Sequence, residues 1–199
     1  MVSVVAADAA GFDALQEVFG TRDSAARCQC QRYKLKPHES FSRQPVEVRA
    51  ERLREQLTGV ATDGATTCGL VAYIHDQPAG WCAVEPRRNY EGLVRNQKVP
   101  WQGREEDRDD PTVWALTCLF VRRGMRRRGV GEALVAGAVE AARSGGARVL
   151  EAYPMTTTQA LSDELHPGLL PTLLAAGFIE ITRPTQRRAV VRLELAGDS

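Results

Sequence analysis

The chain has 199 residues, 43% apolar and 26% charged, which suits one globular domain with its own core. Twenty-six basic side chains oppose twenty-five acidic ones, so no whole-molecule field would gather nucleic acid or an anionic membrane, and charge-driven binding must be local. The opening MVSVVAADAAGFDAL lacks a basic and a sustained apolar leader region, and no stretch approaches the roughly eighteen apolar residues of a spanning helix. A cytoplasmic protein without membrane or nucleic-acid partners is therefore expected. Val2 to Ala6 reads as a strand and Ala9 to Phe19 as a helix with Phe12, Leu15, Val18 and Phe19 on one face. Arg22 to Arg43 is polar and holds Cys28 and Cys30; Pro45 then opens a helix to about Leu57 with Val46, Leu53 and Leu57 inward, stopped by Gly59 to Gly64. Cys68 to Ile74 and Ala79 to Val84 read as a hairpin turning through His75-Asp76-Gln77-Pro78. Pro86 to Pro111, with acids from Glu105 to Asp110, reads as a lid or mobile loop outside the core.

The second half is more regular. Val113 to Val121 is apolar throughout, as a strand covered on both faces would be. Val130, Leu134, Val135, Ala138, Val139 and Ala142 repeat at helical spacing until Gly145-Gly146. Val149 to Tyr153 is a strand, Leu169 to Ala176 a helix closed by Gly177, and Phe178 to Thr182 and Ala189 to Leu195 two further strands. This order predicts an α/β (α+β) fold, a mixed central sheet with parallel members at its centre and helices on its flanks.

The five cysteines are an odd number, three of them in strand-like runs, which predicts free thiols. Cys28-x-Cys30 with His38 is spaced too tightly for an ordinary zinc site and no second pair follows, so no metal is expected. Trp81 and Trp114 lie in strand runs and read as core, while Trp101 is free to line a pocket.

Between the apolar strand and its helix runs Arg122-Arg123-Gly124-Met125-Arg126-Arg127-Arg128-Gly129-Val130-Gly131. A strand passing directly into a helix leaves the first amide protons unpaired, with the positive end of the helix dipole behind them. Gly129 and Gly131 remove the Cβ atoms that would hold a phosphate off those amides, and the arginines add charge-assisted donors. The segment reads as a pyrophosphate seat; a solvated basic turn is the plainer alternative, although arginine at a helix start opposes the dipole unless an anion is bound.

This turn resembles the pyrophosphate loop of the GNAT N-acetyltransferases, Q/R-x-x-G-x-G/A after a strand with an aliphatic end: Arg126-x-x-Gly129-x-Gly131 follows Val121 in that form. The resemblance extends more weakly from Cys68 to the C-terminus. It implies the GNAT acyl-CoA N-acyltransferase fold with two splayed parallel strands, in a single domain over 1–199. Residues 1–66 would carry the acceptor side and 67–199 the CoA-binding core. It implies acetyl-CoA as cosubstrate, held by Arg126, Arg127, Arg128, Gly129, Val130 and Gly131, with the backbone of Leu119, Phe120 and Val121 bonded to the pantetheine arm. Acetyl would pass by direct attack to a small-molecule amine or a protein amino group.

Leu150-Glu151-Ala152 stands where some family members have Leu-Glu-Val with a glutamate base, so Glu151 is the first candidate base and Glu85, at the hairpin exit, the second. A structural glutamate is the equal alternative for Glu151. Leu173 stands where the family often has a tyrosine acid; Tyr153, on the same side of its strand as Glu151, is the substitute candidate or a packing residue. In the family the segment that here holds Cys28 to Tyr33 lines the acceptor pocket. A non-catalytic acyl-CoA-binding regulatory domain and an arginine-loop nucleic-acid binder remain as other readings, and an exposed edge at the C-terminal strands would permit a homodimer.

Overall fold

The computed structural model describes residues 1–21, 24–59, 67–159 and 166–195. Gly64, expected to stop the fourth helix, lies outside them. Seven strands form one sheet in the order β1-β2-β3-β4-β5-β7-β6. These are β1 (Val2–Ala6), β2 (Leu70–Ile74), β3 (Gln77–Pro86), β4 (Val113–Val121), β5 (Val149–Ala152), β6 (Ile179–Thr185) and β7 (Arg188–Glu194). Only the central β4–β5 pair is parallel; every other pairing is antiparallel.

The helices are α1 (Ala7–Ala10), α2 (Phe12–Phe19), α3 (Ser24–Cys28), α4 (Val46–Leu57), α5 (Val130–Ser144) and α6 (Leu170–Ala175). The expected single helix from Ala9 to Phe19 is two, broken at Gly11, whose φ of 81° leaves the helical region. The hairpin turn is also tighter than expected. His75 and Asp76 both take positive φ, the twist that suits a two-residue turn, so Gln77 and Pro78 already belong to β3.

On one face of the sheet α5 packs Val130, Leu134, Val135 and Ala138 against Leu70, Cys82, Leu116 and Leu150. The opposite face buries Leu15, Phe19 and Leu53 with Trp81, Tyr90, Leu93 and Tyr153. The first part of the stretch from Pro86 to Pro111, as far as Trp101, is therefore part of the core, contrary to its reading as a lid, while residues 102–111 are largely exposed. Its polar majority hides Tyr90, Leu93 and Trp101, which are buried by short helical turns at Arg87–Asn89, Gly92–Asn96 and Val99–Trp101.

The middle of the sheet departs from regularity in two places. A bulge between Ala83 and Val84 leaves Thr117 of β4 without a partner across the ladder. At Gly80 of β3 a Cβ would stand 2.8 Å from the Val130 side chain and 2.9 Å from the Phe120 carbonyl, so its missing side chain lets the start of α5 lie close on the sheet.

Candidate active site

β4 and β5 pair only from Val113 to Leu116 against Val149 to Ala152. Beyond Leu116 the two strands part, and β4 runs on with one edge away from β5. There the Leu119 amide donates to the His166 carbonyl (2.7 Å), and the Val121 carbonyl accepts from Arg126 Nε (3.2 Å). Phe120 is in register with Trp81 of β3.

Beyond β4 the chain makes a short turn over Arg123–Met125 and enters α5. Arg127 (φ 60°) and Gly129 (φ 77°) are left-handed, and no side chain caps the first α5 amides. A Cβ at Gly129 or Gly131 would meet nothing within 4 Å. Arg126, Arg127 and Arg128 are exposed, and among the described residues none of them pairs with a carboxylate. The bend is thus open, uncapped and cationic, as an anion seat requires.

A cavity of about 890 Å³ runs beside this bend. Leu119, Phe120, Val121, Arg126, Arg127, Val130 and Gly131 line it; of the residues expected at the coenzyme, Arg128 and Gly129 do not. The segment from α3 to α4 also lines it, through Cys28 of α3, Arg32 of the turn at Arg32–Lys34, Arg49 of α4, and Cys30 and Phe41 of the connections between them. Gln29 and Cys30 take positive φ, the kink that turns this segment back toward β4.

The three candidate proton-transfer residues do not line the cavity. Glu151 is fully buried and stands opposite Arg192 across the β5–β7 ladder. Its carboxylate accepts from Arg192 Nε (2.6 Å), Arg104 (2.6 Å) and the Tyr153 hydroxyl (2.5 Å), with Arg87 at 3.6 Å. Glu106 joins the same cluster through Arg87, Arg104 and Arg192. Burial works against ionisation of Glu106, yet bonds from Arg192 and Arg87 hold its carboxyl below the ordinary range. Burial and the Glu151 charge push the Tyr153 phenol well up. Glu85 is also fully buried, bonded by Lys34 and by Asn89 (3.2 Å); burial raises its carboxyl despite the lysine.

Within the acidic run Glu106 sits in the cluster, while Asp109 and Asp110 lie near Arg95 at 3.5 Å and Arg148 at 3.8 Å. Trp81, Trp101 and Trp114 are all buried, and Trp101 carries the Arg87, Arg104 and Arg108 guanidiniums over its ring at 4.6 to 5.1 Å.

The cysteines are all free. Cys28, Cys30 and Cys118 meet at the cavity wall, where the Trp81 indole donates to Cys30 Sγ (3.3 Å). A hydrogen bond from the Cys118 thiol, then that of Trp81, draws the Cys30 thiol below its ordinary range against burial, and Cys118 is pushed well up. His166 also lines the cavity, its ring against Tyr33 at 5.5 Å. Burial and the charges of Arg32 and Arg188 lower its pKa to about 3, so the imidazole is neutral. Among the described residues no group of three His, Cys, Asp or Glu side chains is placed to hold a metal.

Comparison with known proteins meets this geometry. Residues 29–165 match the sequence model of the acetyltransferase (GNAT) family. The chain belongs to that family. Comparison with curated proteins gives no match. Among solved structures, the fold is shared with an N-acetyltransferase from Staphylococcus aureus Mu50 at TM-score 0.58 and 12% identity, over 98% of this chain and 99% of that one. It is shared with a GNAT-family acetyltransferase from Streptococcus pneumoniae at TM-score 0.54 and 14% identity, over 98% and 100%. The Salmonella typhimurium protein yncA, solved with its cofactor acetyl-CoA, aligns at TM-score 0.52 and 14% identity over 100% and 98%.

The residues that sequence reading missed are Phe41, Arg49 and His166, whereas Arg32 falls within the Cys28 to Tyr33 segment expected at the acceptor side. One signal was present: Arg49, Leu53 and Leu57 recur at four-residue spacing, which puts an arginine on the apolar stripe of α4, where Arg49 is buried and Val46 is not.

Proposed function

We propose that this protein transfers acetyl from acetyl-CoA to an amine nitrogen by direct attack. The open, uncapped entry to α5 beside the stretch of β4 that has parted from β5 carries this reading. Arg126, Arg127 and the amides of Val130 and Gly131 would hold the pyrophosphate, and the Val121 backbone would meet the pantetheine arm. The Leu119 amide could join only by releasing the His166 carbonyl. Acetyl-CoA supplies the activated acyl group.

The chain's own part is to orient the two reactants and to let the ammonium proton leave. Glu151, Tyr153 and Glu85 are committed to buried partners away from the cavity wall. His166 resists a second proton, because burial and two arginines oppose the imidazolium. We assign the proton to water in the open cavity, with Glu151 and Tyr153 in structural roles.

Saturating acetyl-CoA should raise the melting temperature, since a ligand at a hundredfold excess over Kd stabilises the native state by about 2.7 kcal/mol. Gly131→Glu should abolish the rise: the side chain has room and suits a first helical turn, yet it sets a carboxylate where the diphosphate binds. A full rise in Gly131→Glu, or none in the parent, removes the coenzyme assignment. Direct attack also requires that acetyl-CoA alone leave the protein mass unchanged; one acetyl group on Cys30 would overturn it.

A second reading draws on the same wall. Glu132, exposed at the α5 end, is the single carboxylate lining the cavity among the described residues. A regulatory acyl-CoA binder would need no more. Free thiol released from acetyl-CoA by any member of an amine panel decides for the enzyme.

A further inference from the structure

Most arginines in this chain that are withdrawn from water have an acid at hand. Arg87, Arg104 and Arg192 face Glu106 and Glu151, and Arg52 faces Glu39. Arg32 and Arg49 break that pattern. Arg49 is only 5% exposed, yet among the described residues neither arginine forms an ion pair. Their guanidinium carbons lie 4.4 and 4.2 Å from the centre of one ring, that of Phe41. Arg49 donates a single long bond to the Phe41 carbonyl (3.4 Å), and the Nε of each arginine is buried without a partner.

Two guanidiniums on one aromatic ring repel each other, and a buried charge without a counter-ion is among the costlier features a fold can carry. The ring's π face offsets part of this, but it offers nothing to the N–H donors. Burial, opposed by Cys28 and reinforced by Arg32, lowers the pKa of Arg49, which is what a cation short of an anion shows. Both side chains line the cavity, with the hydroxyl-bearing Ser24 and Ser42 beside them. They stand among the lining residues from the 24–49 segment, and the α5 entry and the Cys118 to Phe120 stretch of β4 line the same cavity.

We propose that Arg32 and Arg49 clamp an oxyanion of the acceptor, so that the protein acetylates a small amine bearing a carboxylate or phosphate group. This rests on the acetyltransferase reading and narrows it. A planar guanidinium fork matches either oxyanion, and two forks sharing Phe41 would fix the anion while the amine reaches toward the part of β4 that lines the cavity. A plain polyamine or a lysine-rich surface would meet two positive charges here and be repelled.

The test pairs each L-amino acid with its primary amide, and phosphoethanolamine with ethanolamine, as acceptors in a thiol-release assay at saturating acetyl-CoA. The anionic member of at least one pair should be used at least tenfold better in kcat/KM, and which pair responds separates carboxylate from phosphate. Arg49→Met and Arg32→Met should raise KM for that acceptor at least tenfold with a smaller change in kcat, and Arg49→Lys should recover part of the loss. Inorganic phosphate and succinate, added to the CoA-saturated protein, give a readout independent of turnover. At least one should raise the melting temperature of the parent and neither that of the Arg32→Met, Arg49→Met double variant.

Amides used as well as acids, or no anion-induced shift in the parent, overturns the clamp. So does a loss of the acetyl-CoA shift in the arginine variants, which would assign the pair to the coenzyme. Absence of any acetyl-CoA shift in the parent is a different failure, of the coenzyme reading itself.

Discussion

The cluster around Glu151 and the wall of the cavity both gather arginines, and they treat them oppositely. In the cluster, Arg87, Arg104 and Arg192 converge on two carboxylates that hold them in place. Along the cavity, Arg32, Arg49, Arg126 and Arg127 have no carboxylate among the described residues. A closed set of charges serves the fold, because its guanidiniums and carboxylates face one another, even though Arg104 Nε itself is left without a partner. An open set, kept beside a cavity, is what the proposed anion sites require. Partner inventory therefore separates structural from functional arginines where composition cannot.

This contrast can be broken most sharply at Glu151. Glu151→Gln leaves Arg104 and Arg192 short of a counter-charge in a buried site, and should cost about 3–5 kcal/mol of stability by denaturant titration. The melting-temperature rise with acetyl-CoA should survive in the folded fraction. A stable Glu151→Gln with turnover lost instead would return Glu151 to the chemistry.

At His166, on the open side, the effect is nil near neutrality and builds only in acid. Its pKa is about 3 in the folded chain and 6.5 when unperturbed, so between these values the unfolded chain binds more protons. Stability should be full above pH 6.5 and fall as pH drops toward 3, at up to about 1.4 kcal/mol per unit from this group. Urea titrations of His166→Gln should show a flatter profile between pH 6.5 and 4; an unchanged slope would place the acid sensitivity elsewhere.

The smallest change should come from the half-buried pair of Glu39 and Arg52, bonded at 2.5 and 2.8 Å. The Arg52 bonds, against a little burial, hold Glu39 at about 2, a contribution present above pH 4.5 and lost as pH falls toward 2. Solvent screening keeps it small, so Glu39→Gln should cost less than about 1 kcal/mol near neutrality. A larger loss would show that pairing alone, without full burial, sustains a charge in this chain.

Legibility in the sequence followed the range of the forces involved. β4 and α5 were readable almost to the residue, because nine apolar positions in a row and a 3.6-residue repeat are local signals. The anion-seat geometry was equally local, a strand end, two glycines and a helix start within ten residues. Glu151 shows the opposite case: its partners lie 41, 47 and 64 positions away, at Arg192, Arg104 and Arg87, and only the assembled sheet brings them together. The stretch from Pro86 to Pro111 misled for the same reason, since its arginines and acids looked solvated until Trp101 and Glu106 gave them buried company. Arg49 was concealed by counting only apolar residues along α4.

The bare α-carbon at Gly80 sets how far apart two walls can stand. Any side chain there would lever the first turn of α5 off the sheet, and with it the uncapped amides at Val130 and Gly131. β3 itself supplies no residue to the cavity. The aperture of the cavity is thus gauged from a strand that never lines it, and a methyl group added at that spot would be felt as a misfit one layer away.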